Sequence, residues 1–291
     1  MAPLVSGAEA SGAAAPRIDA HVHLWDLATD PQDWIDPGTM GPIARDFGPA
    51  ELDAMLAATA CDRAVVVQAG NSLDETIRLT RLDATSIAGV VGWIDVAGDV
   101  PAQLAAVRDG ARHRLVGIRH LAHIDPDPRW LERDDVGAAL RVLAREGLAF
   151  DLVLRRAQLP LATALAARHP DVRFVLDHLG DAPAGRVELA EWAAAIGRLA
   201  ERPNVTAKLS GLTSWLRPGM WTAADLEPVV EVAFRAFGAR RLAYGSDWPL
   251  AELGGGAPAW CAAAGELVAT FAAGEESSVF GGVAVEAYDL D

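Results

Sequence analysis

The chain of 291 residues is 51% hydrophobic and 22% charged, a globular balance with material for a large core, and it offers no apolar run of about 18 residues to span a membrane. Its formal net charge of −15 argues against a nucleic-acid partner, because phosphate binding needs a basic surface. Two cysteines, Cys61 and Cys261, are too few for a disulfide framework and fit a reducing, cytoplasmic setting.

Residues 1–16 are rich in Ala, Gly and Ser, with neither a basic leader nor a long apolar run, and are read as a loose tail. Residues 17–291 are read as one domain. The pattern predicts strands over 18–22, 63–68, 87–96, 115–121, 148–154, 172–178, 204–210 and 241–247. Most are near-continuous apolar runs, as parallel strands buried on both faces require. Between and after them the spacing predicts helices over 49–60, 74–85, 100–112, 134–146, 158–168, 187–201, 223–237 and 258–271. Thr222 and Asp225 form a capping pattern before the seventh helix. Eight strand–helix alternations are the pattern of an α/β (β/α)8 barrel. An open doubly wound sheet is disfavoured because no glycine-rich phosphate loop follows the first strand. Long connections over 24–48 and 122–133 are expected on the barrel face that carries active sites.

The apolar strands end in ionisable residues. The first ends in His21-Val-His23, and alternation along a strand aims both imidazoles the same way. The fourth ends in Arg119-His120, the sixth in Asp177-His178 and the eighth in Asp247-Trp248, while Lys208 lies in the seventh and Asp151 in the fifth. Charges are costly in an apolar core unless paired, so their recurrence at one end of several strands implies a shared polar pocket. Three imidazoles and a carboxylate, His21, His23, His178 and Asp247, suit one divalent ion, zinc or manganese, with an open position for water. The same groups also suit catalysis with no metal, Asp247 taking a proton from water while the histidines and Arg119 polarise a carbonyl. No serine or cysteine nucleophile stands out, since Gly245-Ser-Asp-Trp lacks the nucleophile elbow. Trp25 and Trp248 flank the predicted site, where they either stack on a substrate ring or pack as core.

The stretches Ile18-Asp-Ala-His-Val-His-Leu-Trp25, Gly117-Ile-Arg-His120, Phe174-Val-Leu-Asp-His-Leu-Gly180, Lys208-Leu-Ser-Gly211, Tyr244-Gly-Ser-Asp-Trp-Pro249 and Val279-Phe-Gly-Gly282 occur in this order along the chain. In them the sequence resembles the amidohydrolase superfamily, most closely the amidohydrolase-2 branch of sugar-lactone and pyrone-dicarboxylate lactonases. The resemblance implies a distorted (β/α)8 barrel that hydrolyses the ester bond of a small cyclic substrate, a role in carbohydrate catabolism, and a monomer or homodimer. It implies Asp247 as general base beside His178, His21 and His23, with Arg119 and His120 as substrate contacts; Trp25, Lys208 and Trp248, by their position at or beside the strand ends, are expected as further substrate contacts. It leaves open whether one divalent ion is held by His21, His23, His178 and Asp247 or none is required. A metal-dependent decarboxylase or amidase of the same superfamily is the alternative activity.

Overall fold

The structure is a computed structural model that describes residues 15–183 and 186–291. The predicted tail over 1–16 lies outside the described residues except for its last two. Eight parallel strands run in chain order: β1 (Ile18–Val22), β2 (Arg63–Val67), β3 (Ile87–Gly92), β4 (Leu115–His120), β5 (Ala149–Leu152), β6 (Phe174–Leu176), β7 (Val205–Leu209) and β8 (Leu242–Tyr244). A parallel bridge between Val22 and Trp248 joins the two ends of the sheet into a ring. The helices between and after the strands are α1 (Pro49–Thr59), α2 (Leu73–Thr80), α3 (Val100–Arg108), α4 (Asp134–Arg145), α5 (Leu159–Arg168), α6 (Arg186–Ala200), α7 (Ala223–Phe237) and α8 (Ala257–Phe271). The predicted (β/α)8 barrel is therefore the fold. None of the described helices is long and apolar enough to cross a membrane.

Local chemistry sets the helix starts. Ser72 caps α2 by accepting from Glu75 N–H, and Asp99 caps α3 by accepting from Ala102 N–H. At α7 the Asp225 carboxylate accepts from the Thr222 backbone N–H at 2.9 Å. Helix α2 stops at Thr80 rather than at 85, because the Thr80 carbonyl accepts from the backbone N–H groups of Arg112 and His113.

A further helix, α9 (Val283–Tyr288), follows the Val279–Gly282 stretch and is not among the helices predicted from sequence. It covers the end of the barrel where the strands begin: Arg63 and Arg114, at the starts of β2 and β4, donate to the carbonyls of Asp291 and Asp289. Val283, Ala284, Ala287 and Tyr288 pack against Ile18, Val65, Val116 and Val175 inside the ring. With this end plugged, the opposite end, where the strands finish, is left for a cavity.

Two irregularities aim side chains at that cavity. In β1 three residue steps from Asp19 to Val22 oppose two in β2, so the strand bulges around His21. In β6, Phe174 and Leu176 pack outward while Val175 faces the barrel interior. Asp177 continues the inward face, and His178 would then point outward. The backbone instead turns left-handed over four consecutive residues, His178, Leu179, Gly180 and Asp181, with φ from 52° to 67°. This turn also ends β6 two residues earlier than the apolar run predicts.

Candidate active site

The site is built on the ends of β1, β6, β7 and β8. His23 Nδ1 lies 2.7 Å from the Val67 carbonyl. A carbonyl only accepts, so Nδ1 carries the proton and Nε2 presents a lone pair. His21 Nε2 lies 3.2 Å from His23 Nε2. His178 Nδ1 meets Ser210 Oγ at 2.9 Å. The loop after β8 delivers Asp247, whose N–H donates to the His21 carbonyl at 2.9 Å and whose Oδ2 accepts from Ser214 Oγ at 2.7 Å. Its other oxygen, Oδ1, is buried with no hydrogen-bond partner. That oxygen stands 3.8 Å from His21 Nε2, 3.7 Å from His23 Nε2 and 3.8 Å from His178 Nε2.

Two glycines make room for these rings. A Cβ on Gly211, whose φ is +67°, would stand 2.5 Å from His178 Nδ1, and one on Gly245 would stand 2.8 Å from His21 Cβ. A side chain at either position displaces an imidazole.

Electrostatics fixes the charge states. Burial pushes the Asp247 carboxyl up, but the imidazoles of His178, His23 and His21 outweigh burial and hold it below the usual carboxylate range. Burial lowers His23, and burial together with the Lys208 ammonium lowers His21 well below an ordinary imidazole. The site at neutral pH therefore holds one carboxylate facing two neutral rings.

Lys208 was expected to touch substrate, and the structure places it elsewhere. It is fully buried a layer below His21, with Nζ 2.6 Å from Asp151 Oδ2, 2.9 Å from Asp177 Oδ1 and 3.0 Å from His21 Nδ1. Tyr288 of α9 donates to Asp151 Oδ2 at 2.7 Å, so the network runs from the plugged end to the site. Arg119 Nη1 donates to Asp177 Oδ2 at 2.9 Å, and Arg119 Nη2 donates to the Gln68 carbonyl. Burial pushes Asp177 up, but Lys208, His21 and Arg119 prevail and hold it ionised.

Asp19 ties β1 to the loop after β8, accepting from Ser246 N–H at 2.8 Å and from His21 N–H at 3.1 Å. Burial raises its carboxyl from 3.8 to about 6. A carboxyl raised on folding contributes stability below its unfolded pKa that is lost as pH rises through the folded value. Wild-type stability is accordingly expected to lose roughly 3 kcal/mol of the Asp19 contribution between pH 4 and pH 7. Urea unfolding across that range checks this against Asp19→Asn, whose pH slope should be shallower. Parallel slopes would remove Asp19 as the cause.

A cavity of about 780 Å³ opens above the floor formed by His23, Arg119, His178 and Asp247. Three other predicted contacts do not line it. His120 stacks on Trp130 at 3.9 Å, receives Trp93 Nε1–H at Nδ1 and donates to Asp125 at 2.8 Å, so it shapes the loop after β4. Trp25 is buried against Phe47 and donates to the Arg45 carbonyl, and Trp248 is buried against Phe47 as well. The lining instead includes Trp34, Trp215 and Trp221, along with His123 and Arg155. Sequence reasoning also missed Ser214, which lies in an irregular loop and carries no periodic signal.

Comparison with known proteins agrees with this fold. The family model described as amidohydrolase matches residues 18–290. The chain is 35% identical to an L-fucono-1,5-lactonase of Burkholderia ambifaria, with 94% of this chain and 96% of that protein aligned. An L-fucono-1,5-lactonase of Burkholderia multivorans is likewise 35% identical over the same shares of the two chains. A crystal structure of an amidohydrolase from Burkholderia multivorans with bound zinc superposes with a TM-score of 0.87 at 34% identity, covering 95% of this chain and 100% of that one. With the barrel, the paired histidines of β1, the histidine after β6 and the aspartate after β8 all in place, this chain belongs to the amidohydrolase family.

Proposed function

We propose that the protein hydrolyses the ester bond of a sugar-derived lactone, with Asp247 as the base that deprotonates the attacking water. The observation that carries this reading is the partnerless Asp247 Oδ1, buried on the cavity floor and nearly equidistant from three imidazole nitrogens. The gaps are too long for direct hydrogen bonds and leave room for a small occupant. Relatives at 35% identity that carry lactonase names favour this chemistry over decarboxylation or amide cleavage.

Water between Asp247 Oδ1 and the Nε2 atoms faces a carbonyl carbon lying over the floor. Asp247 takes the proton as the oxygen attacks. The second N–H of Arg119 Nη1, 3.5 Å from His21 Nε2, lies on the side where negative charge develops. Asp247, now carrying the water's proton, gives it to the ring oxygen as the ester opens, and His178, held by Ser210 Oγ at 2.9 Å from Nδ1, faces the same floor.

The donor set also fits one divalent cation, zinc or manganese. His21 Nε2, His23 Nε2 and Asp247 Oδ1 are separated by 3.2, 3.7 and 3.8 Å. Ligands of a tetrahedral ion with bonds of about 2.0–2.1 Å stand at comparable separations. When bound, such an ion acts as a Lewis acid beside the water and the carbonyl. It would offset the weak basicity of a carboxylate held this low.

A panel of five- and six-membered lactones assayed by proton release, with and without chelator, tests the reading. Sugar 1,5-lactones are expected to open. If no lactone in the panel turns over, the proposed activity is wrong. Loss of turnover on chelation with recovery on adding zinc would assign the cation a catalytic part, and retained turnover would leave the work to the side chains.

A further inference from the structure

The inner and outer parts of the cavity differ in chemistry. Hydrogen-bonding groups gather on the floor, while large hydrophobic side chains stand exposed at the rim beside Arg155 and Asp225. Among the described residues, the large hydrophobic side chains left exposed are Trp34 at 38%, Ile124 at 59%, Trp215 at 68% and Met220 at 77%. All four line this one cavity. They come from three separate connections, after β1, β4 and β7, yet they surround the same opening. Single exposed hydrophobics scattered over a surface need no explanation, whereas convergence around one concave site marks a binding surface.

Size points the same way. A lone sugar ring displaces roughly the volume of six water molecules at about 30 Å³ each. That is about a quarter of a cavity of about 780 Å³. Leu212, Leu216 and Trp221 line the cavity with the rim residues, continuing the apolar surface inward. Trp215 directly follows Ser214, whose hydroxyl holds Asp247, so the segment that orients the base also carries an edge of the rim.

We propose that this outer part is a subsite for a hydrophobic arm on the substrate, so that the preferred lactone bears an apolar substituent of several carbons on the ring carbon next to the ring oxygen. The proposal deepens the lactonase reading and uses the same site: the ester sits on the floor and the arm runs up to Trp215 and Met220. A buried methylene contributes about three- to fourfold in affinity.

The test separates the subsite from the activity. Six-membered lactams, in which an amide replaces the ester, are prepared with methyl through heptyl arms at that carbon, and their Kd values are measured by calorimetry on the full chain. The lactones with the same arms are assayed for turnover in parallel. Kd is expected to fall about threefold per methylene over the first several carbons, and the slope should flatten in Trp215→Ala or Met220→Ala. Each slope is a ratio within one variant, so it does not depend on the fraction of active protein. A Kd independent of arm length, or an unchanged slope in both variants, overturns the subsite even if every lactone is opened. A chain-length slope without turnover keeps the subsite and removes the lactonase reading.

Discussion

Asp247→Asn should lower kcat/KM by at least about a thousandfold while leaving the protein folded. The amide keeps the shape of the side chain and can accept from Ser214 Oγ, but it cannot take a proton from water. Asparagine also tolerates the left-handed backbone at this position, where φ is 60°. The variant therefore separates chemistry from strain in a way that alanine would not. The facing imidazoles favour the ionised carboxyl, so losing its charge should lower the urea midpoint at neutral pH modestly without unfolding the chain. Steady-state kinetics on the preferred lactone, beside an unfolding curve, decide the matter. Near-normal turnover would remove Asp247 as the base.

The second large effect is expected below the site. Lys208→Met leaves Asp151 and Asp177 facing each other in a dry interior without their shared ammonium. Removing one partner of a buried ion pair costs about 3–5 kcal/mol. Asp151→Asn added to Lys208→Met should recover part of that loss, because it removes one of the stranded carboxyls. Urea unfolding of wild type, the single variant and the double variant measures this. The alternative in which Lys208 grips substrate gives the opposite pattern, a raised KM with unchanged stability.

Lys208 also shows what could and could not be read from the sequence. Hydrophobic period and strand–helix alternation assign a residue to an element: β1 and α7 have the predicted bounds. They do not give its depth along the barrel axis. Lys208 falls one layer too deep to meet a ligand, and only the register of β7 against its neighbours reveals that. The four residues His21, His23, His178 and Asp247 were legible because an ionisable group at the end of an apolar run can be stabilised only in a polar pocket. Trp25 and Trp248 were legible as neighbours of the site but not as core, since a tryptophan serves either role. Trp215 and Met220 sit in the irregular connection after β7, where no period exists to say which way a side chain faces.

The left-handed turn after β6 has one more consequence. A strand that simply ends can offer a chamber only every second side chain. Here Asp177 and His178 are adjacent in the chain, yet both serve the same chamber. Asp177 is set in its foundation beside Lys208, and His178 stands on its floor opposite Asp247. The inversion of backbone hand makes this so, at a cost of roughly 1–2 kcal/mol for each non-glycine residue held that way. The fold offsets that cost with fixed anchors: Trp192 Nε1–H on the Leu179 carbonyl, Arg156 N–H on the Asp181 carboxylate and Ser210 Oγ on His178. Handedness, rather than spacing, thus lets one strand end furnish both a buried counter-ion for Lys208 and an imidazole on the cavity floor.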